Sequence, residues 1–154
     1  MSNTLNSIYS IIFQEPFCYA DFDKRKKLQK AIYLLENMGV SVGDYSFSWD
    51  IYGPYSLSLD CDAILSAKEF AGTITFSNYA IKCFSQLKDY INQEKVYTCA
   101  EWLECIASLH YLKTIFRIDN SVVIQVLTEK KPYLSNVSDN QKALEIANMI
   151  KVGM

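Results

Sequence analysis

The chain has 154 residues, half of them hydrophobic, with a formal net charge of −2 and a pI near 5.4. A chain of this length can bury enough apolar surface to fold without disulfides, and we expect one domain over residues 1–154. The acidic balance argues against a large basic surface, although it allows a local basic patch. Five glycines and three prolines provide few breaks, which favours long helices over many short strands.

Targeting signals are not evident in the sequence. No apolar run is long enough to span a bilayer, and the apolar residues around Ile8 follow no basic segment of the kind that opens a signal peptide. The five cysteines are odd in number and irregularly spaced, which is typical of reduced thiols rather than of a secreted disulfide framework. We therefore expect a cytoplasmic protein with no membrane contact.

Two helices are predicted at the start of the chain. The first covers Leu5–Phe13, and the second runs from about Lys24 to Met38, with Asp21 or Asp23 as its cap and Gly39 after its end. The second helix has one apolar stripe at helical spacing, formed by Leu28, Ala31, Ile32, Leu35 and Met38. This stripe predicts that the lysines of the same helix are left largely to solvent, at Lys24, Lys26, Lys27 and Lys30.

The hydrophobic period then changes from helical to two. Between Tyr45 and Tyr52 every second residue is apolar, which predicts a strand with one aromatic face. The pair Gly53-Pro54 is expected to break this strand, and Ser56 or Ser58 can start a helix that runs towards Phe70. A short β-prone stretch from Thr73 to Phe76 is a candidate partner for the strand, in a small sheet or wing.

The second half of the chain is helical in pattern throughout. Polar residues precede each of its apolar runs, at Ser77, at Thr98, at Asp119 or Asn120, and at Ser138. Thr98 and Ser138 also have Glu101 and Gln141 three positions later, which is the spacing of a capping box. The predicted fold class is therefore mainly α with a small β element (α+β), a compact helical domain for which a winged helix is one possible arrangement.

No catalytic constellation is visible. The single histidine, His110, lies within an apolar helix, and we expect it to be buried and hydrogen-bonded. Cys105 lies five positions before it and points to a different face, so no Cys–His pair is expected. There is no CxxC, HExxH or glycine-rich phosphate loop. We predict no enzyme activity, no catalytic residues, no metal site and no cofactor, and we rank an enzyme that uses Cys99 or Cys105 last.

Two features are candidates for binding. The basic run Lys24–Lys27, with Lys30, can contact phosphates, but the acidic chain and its flanking aspartates favour a solvated helix face. The aromatic cluster between Tyr45 and Tyr55 is expected to pack mostly in the core. Tyr52 and Tyr55 flank the Gly-Pro pair, however, and can reach the surface, where rigid amphipathic rings are enriched in protein interfaces.

Short motifs resemble a known family. Lys27–Lys30 reads KLQK and is followed by Tyr33-Leu34-Leu35, while Tyr52–Ser56 reads YGPYS. These segments resemble the bacterial YwgA-like family and, more distantly, are similar to the Panacea or SocA-like antitoxin domain, in which a KLQKL-type helix precedes a YGP turn. The stretch Trp102–Leu112 and the pair Lys131-Pro132 resemble the same family, so the resemblance covers most of residues 24–150.

The resemblance implies a compact, helix-rich domain with a small β element and no established enzymatic activity. Broader relatives act as antitoxins or adaptors, often in mobile elements and anti-phage regions of bacterial genomes. The chain departs from the SocA-like pattern in its length and in having Tyr55 after YGP, so a toxin partner cannot simply be carried over.

The function predicted from the sequence is that of a non-enzymatic protein-interaction module. It would be an antitoxin-like or defence-associated accessory protein, from a bacterium or phage, that binds a toxin or a regulatory protein. The candidate partner-binding residues are Lys26, Lys27, Lys30, Tyr52, Gly53, Pro54, Tyr55 and Ser56. The alternative is a winged-helix-like DNA-binding transcriptional regulator whose β element is a wing.

Overall fold

The structure is a computed structural model that describes residues 2–66 and 74–150. Helices dominate these two ranges, and one short hairpin interrupts them. In chain order the elements are α1 (Ser2–Phe13), α2 (Phe22–Asn37), β1 (Ser48–Asp50), β2 (Gly53–Tyr55), α3 (Leu57–Ser66), α4 (Asn78–Ile91), α5 (Cys99–Thr114), α6 (Val123–Lys130) and α7 (Val137–Met149). The predicted fold class, mainly α with a small β element, is confirmed.

Helix starts follow local capping chemistry. Asp21 accepts a hydrogen bond from the Lys24 backbone N–H at the start of α2, and Ser77 caps α4 in the same way. Thr98 and Glu101 form both halves of the predicted capping box of α5. The box predicted at Ser138 is wrong. Helix α7 already includes that residue, because Asn136 is its cap and accepts from the Asp139 backbone N–H.

Helix α5 is the centre of the fold. It packs against α2, α7, α6, α4 and β2, while α1 packs against α3 and α4. Every residue from Trp102 to Leu112 is buried, so α5 has no solvent-facing side over that length. Three polar side chains, Glu104, Ser108 and His110, are buried with it. All three lie against α2 or the hairpin, which makes this contact one of the polar parts of the core.

The two strands form an antiparallel hairpin with a two-residue turn. Asp50 lies opposite Gly53 and Trp49 opposite Pro54, which leaves Ile51 and Tyr52 at the tip. The prediction that Gly53-Pro54 ends the strand is therefore wrong, since both residues belong to β2. Proline is tolerated there because both strands of a two-stranded sheet are edge strands.

The predicted pairing of Thr73–Phe76 with the strand that starts at Tyr45 is also wrong over residues 74–76, the part that the structure describes. Thr73 and Phe70 lie outside the described residues, and residues 74–76 form no strand. The partner of β1 is β2, the segment directly after it in the chain. A hairpin with a two-residue turn closes a much shorter loop than a pairing across α3 would, and it costs less chain entropy.

The aromatic alternation is confirmed for three residues, but the predicted strand from Tyr45 to Tyr52 is shorter in the structure: β1 covers only Ser48–Asp50, and Ile51 lies exposed in the turn. Tyr45, Phe47 and Trp49 are partly buried and pack against the core, while the serines between them are exposed. The Phe47 ring meets Tyr33 edge-on at 5.2 Å, and Trp49 lies 5.9 Å from Tyr111. Core packing is therefore the role of these three rings, and they anchor the hairpin to α2 and α5.

Candidate binding cleft beside the hairpin

The KLQK and YGPYS segments bond directly to each other. The Gln29 side chain donates to the Ser56 carbonyl oxygen and accepts from the Ser56 backbone N–H, each at 2.9 Å. Lys30 Nζ donates to the Pro54 carbonyl oxygen at 2.9 Å. The Gln29 amide thus satisfies both backbone groups of one residue, as a neighbouring strand would. Two motifs that are separate in the sequence form one structural unit.

The tip of the hairpin is held from the other end of the chain. Lys131, which follows α6, donates to the Ile51 carbonyl oxygen, and its ammonium lies 5.0 Å from the centre of the Trp49 ring. The Lys131 side chain is buried. The hairpin is therefore fixed at its tip by Lys131, along β2 by Lys30, and just after β2 by Gln29.

A buried carboxylate joins these lysines. Glu104 of α5 has no exposed side-chain surface. Its Oε1 forms an ion pair with Lys26 Nζ at 2.6 Å but accepts no hydrogen bond. Its Oε2 lies 3.1 Å from Lys131 Nζ and accepts from the Tyr133 hydroxyl. We call Glu104, Lys26, Lys131 and Tyr133 the Glu104 cluster. Burial and the adjacent carboxylate both raise the pKa of Tyr133, so its hydroxyl stays protonated as a donor.

A half-open cleft of about 280 Å³ lies between the start of α2 and the hairpin. Its walls are aromatic and its remaining lining is charged. The aromatic residues are Tyr19, Phe22, Tyr52 and Tyr55, and the charged residues are Arg25, Lys26, Lys30, Asp50 and Asp60. The Glu104 cluster lies behind this lining and shares Lys26 with it. This cleft is the candidate functional site.

Four of the eight predicted site residues meet in the cleft, namely Lys26, Lys30, Tyr52 and Tyr55. The other four do not line it. Gly53, Pro54 and Ser56 are buried and have structural roles in the hairpin and its exit. Lys27 forms an ion pair with Glu15 at 2.9 Å, and its ammonium lies 4.9 Å from the Phe13 ring, on the side of α1.

The predicted solvated lysine face is wrong. Lys30 is only 2% exposed, and the side chains of Lys26 and Lys27 are 9% and 14% exposed. The physical reason is that α2 is covered on more than one side, by α5 and by the hairpin, and its lysines reach carboxylates, carbonyls and rings on those neighbours. The basic run is therefore part of the packing of the domain.

Lys30 has an unusual environment for an ammonium group. Burial lowers its pKa to about 7, and the nearby charges of Lys131 and Lys26 act in the same direction, against the opposing effect of Glu104. Pro54 is the only hydrogen-bond partner of its amino group within residues 2–66 and 74–150. Near neutral pH, Lys30 is therefore divided between its charged and neutral forms.

Replacing Lys30 by methionine should flatten the rise of stability with pH above 7. The folded pKa is near 7 and the unfolded pKa near 10.5, so the unfolded state binds more protons between these values and the free energy of unfolding increases with pH there. The contribution approaches about 1.4 kcal/mol per pH unit. Urea denaturation at pH 7, 8 and 9 measures the slope. Lys82→Met, at an exposed lysine of α4, should keep the wild-type slope, and an equal slope in Lys30→Met would contradict the prediction.

Two of the residues considered for catalysis, His110 and Cys105, are held in structural contacts. His110 is buried, with Nδ1 2.7 Å from the Tyr33 hydroxyl and Nε2 2.9 Å from the Ile150 carbonyl oxygen, as predicted. Cys105 donates to Asn140 Oδ1, and burial raises the pKa of its thiol, which opposes formation of a nucleophilic thiolate. Across the described ranges, no three His, Cys, Asp or Glu side chains are grouped to hold a metal ion.

The chain matches no family model, no curated protein and no solved structure. The resemblance to the YwgA-like and Panacea families therefore stays a prediction from the KLQK and YGPYS motifs. Among the helices that the structure describes, none has the length and apolar character needed to cross a bilayer.

Proposed function

We propose that the protein is a non-enzymatic protein-interaction module that binds a partner protein at the cleft beside the hairpin. The observation that carries this proposal is an apolar rim formed by Phe22, Ile51 and Tyr52. Their exposed fractions are 46%, 73% and 39%, and the rings of Phe22 and Tyr52 meet edge-on at 5.1 Å. Clustered, exposed aromatic side chains beside a concave surface are typical of binding hot spots.

The rim is attached to a rigid support. Ile51 and Tyr52 form the hairpin turn, and the carbonyl of Ile51 is held by Lys131. The Lys26 ammonium lies 4.8 Å from the Tyr52 ring and fixes that side chain through a cation–π contact. A partner would therefore meet a surface that is already ordered, and association would cost little additional conformational entropy.

The half-open shape of the cleft favours a protein partner over an enclosed cofactor. Small-molecule sites usually surround most of their ligand. The cleft holds about 280 Å³ and is half-open. It suits one or two side chains that project from a larger partner.

Two further observations support the antitoxin-like form of this proposal. The motifs that carry the family resemblance, KLQK and YGPYS, bond to each other and contribute Lys30, Tyr52 and Tyr55 to the lining of the cleft. All five cysteines are free thiols, and Cys18 and Cys61 are exposed, which supports a reducing compartment such as the cytoplasm. We propose that the partner is a toxin or a regulatory protein of a defence-associated system.

Replacing Ile51 by aspartate should weaken capture of the partner by about 30-fold, since loss of a hot-spot residue costs roughly 2 kcal/mol. Tagged wild type and variant would be used to recover partners from the native host, with identification by mass spectrometry. Val96→Asp is the matched control, because Val96 is 78% exposed and lies in the loop between α4 and α5. Both side chains are in solvent, so both variants should keep the wild-type melting temperature.

Equal recovery of the same proteins by both variants would show that the apolar rim is not the interface. A parallel measurement with duplex DNA distinguishes the alternative function. Binding of DNA that weakens steeply with added salt, together with no partner sensitive to Ile51→Asp, would favour a DNA-binding regulator instead.

A further inference from the structure

Lys30 has unused hydrogen-bonding capacity at the cleft. An ammonium group has three N–H donors. Lys30 uses one of them on the Pro54 carbonyl oxygen, and its amino group makes no second hydrogen bond among the described residues. The side chain is 2% exposed but forms part of the cleft lining. A buried donor group without acceptors is costly, and a ligand that supplies acceptors would remove this cost.

The charges around the cleft are also unbalanced. When Lys30 is protonated, four cations lie in the lining or directly behind it, at Arg25, Lys26, Lys30 and Lys131, against three carboxylates, at Asp50, Asp60 and Glu104. Glu104 is the only one of these carboxylates in an ion pair, and it is shared by Lys26 and Lys131. Asp60 accepts from the Tyr19 hydroxyl, and Asp50 accepts from the backbone N–H of Ile51.

Lys30 and Arg25 are therefore left without an ionic partner in the described structure. The Arg25 guanidinium lies 5.0 Å from the Tyr19 ring and 5.6 Å from the Phe22 ring, at the mouth of the same cleft. Cations placed on aromatic walls, with no carboxylate paired to them, form a site that is complementary to an anion on an apolar stem.

We propose that the cleft binds an aspartate or glutamate side chain of the partner protein, with the carboxylate on the Lys30 ammonium. This inference rests on the proposed function and defines the chemistry of the partner. The two oxygens of a carboxylate accept the remaining N–H donors of Lys30. Arg25 and Lys26 add attraction at the mouth, and the rings of Tyr52 and Phe22 pack against the methylene groups.

A carboxylate suits this site better than a phosphate group. A phosphate monoester carries about −1.5 to −2 charges at neutral pH. Asp50 and Asp60 belong to the same lining and repel a dianion more strongly than a monoanion. None of the residues that line the cleft is a glycine, so the cleft has no glycine-rich phosphate loop. A phosphopeptide or a nucleic acid is thus less well matched than an acidic peptide.

Binding of a carboxylate should be linked to protonation of Lys30. An anion beside Lys30 favours the charged form and raises its pKa above the value of about 7 in the free protein, so binding takes up a proton. The charged groups that act on Lys30 are Glu104 on α5, Lys131 after α6, Lys26 on α2 and Asp50 on β1. Tyr52 of the hairpin and Asp60 of α3 line the same cleft. Burial also lowers the pKa of Lys131, so variants of Lys30 itself are needed to identify the responsible group.

The test uses fluorescence anisotropy with a fluorescein-labelled hexaglutamate peptide, compared with hexaglutamine and with a thymidine hexanucleotide. Hexaglutamate should bind wild type more tightly at pH 6 than at pH 9, with about tenfold lost for each pH unit above 7. Lys30→Met should weaken binding at pH 6 by at least about tenfold. Lys30→Arg stays charged at pH 9 and should bind with little pH dependence. Lys82→Met should behave as wild type.

Two results would overturn the inference: equal hexaglutamate binding by wild type and Lys30→Met, or tighter binding of the hexanucleotide than of hexaglutamate. Circular dichroism identifies a variant that fails to fold, and the pH profile of Lys30→Arg then decides between the outcomes. Partner capture that depends on Ile51 but not on Lys30 would disprove binding of an acidic side chain at Lys30 and leave the proposed function intact. Capture that depends on neither residue would disprove both the carboxylate site and the proposed partner-binding cleft.

Discussion

Replacing Glu104 by glutamine is expected to lower the free energy of unfolding by about 3–5 kcal/mol at pH 7. Glutamine keeps the size of the side chain but removes the negative charge that lies 2.6 Å from Lys26 and 3.1 Å from Lys131. The Glu104 side chain is fully buried, so water cannot replace the lost charge without opening the core. The loss should therefore far exceed the value of a surface ion pair, which is about 0–1 kcal/mol.

Urea denaturation of wild type and variant measures this effect. Glu145→Gln on α7 is the matched control, because that carboxylate is exposed and its substitution should change stability by no more than about 0.5 kcal/mol. The double variant Glu104→Gln/Lys131→Met should recover part of the loss, since it leaves one fewer buried cation without an anion. A Glu104→Gln protein as stable as the control would show that the Glu104 cluster does not stabilise the fold.

The helical part of the fold was predictable because its signals are local. Asp21, Ser77 and Thr98 each bond to a backbone N–H within the next three residues, so their capping role is written in a few consecutive positions. The alternation of Tyr45, Phe47 and Trp49 was likewise readable, because the pleat of an extended chain places them on one face.

The environment of the lysines of α2 was not predictable from the same signals. One apolar stripe predicts one buried face and leaves Lys30 to solvent, whereas Lys30 and its neighbour Gln29 are both buried. Their burial depends on the hairpin, which supplies the carbonyl of Pro54 and both backbone groups of Ser56. Helical periodicity contains no information about polar groups on a second element, so a buried polar face looks the same in sequence as a solvated one.

The Glu104 cluster had a weak signal in the sequence. Glu104 is the only charged residue between Trp102 and Leu112, in a stretch too apolar to have a solvent face. A carboxylate in that position requires a cation, since charged residues are almost never fully buried unless paired. Its partners Lys26 and Lys131 lie far away on either side in the chain, and only the fold brings them together.

The Gly-Pro pair shows a different limit. As a local pattern it predicts a break, and the sequence therefore places the end of the strand there. In the structure Gly53 has φ +93° and continues the hairpin, and a Cβ added to it would clash with Ser108 Oγ. Glycine is needed at this position for its backbone angle and for the close approach of β2 to α5.

Gly53→Ala should consequently destabilise the protein by about 2–5 kcal/mol, from left-handed backbone strain of roughly 1–2 kcal/mol and overpacking of roughly 1–3 kcal/mol. The two causes are separable. Ser108 Oγ is buried and has no hydrogen-bond partner in the described residues, so Ser108→Ala alone should change stability little. In the double variant the oxygen is gone and the nearest Ser108 atom, Cβ, is 3.7 Å from the new methyl group.

The Gly53→Ala/Ser108→Ala protein should therefore lose only the strain contribution of about 1–2 kcal/mol relative to Ser108→Ala. A double-mutant cycle from urea denaturation measures the difference as a coupling energy between the two positions. A coupling energy near zero would mean that backbone angle alone requires glycine at position 53. A coupling of about 1–3 kcal/mol would show that the contact between β2 and α5 also selects it, and that the hairpin is held at the cleft by packing as well as by Lys30 and Lys131.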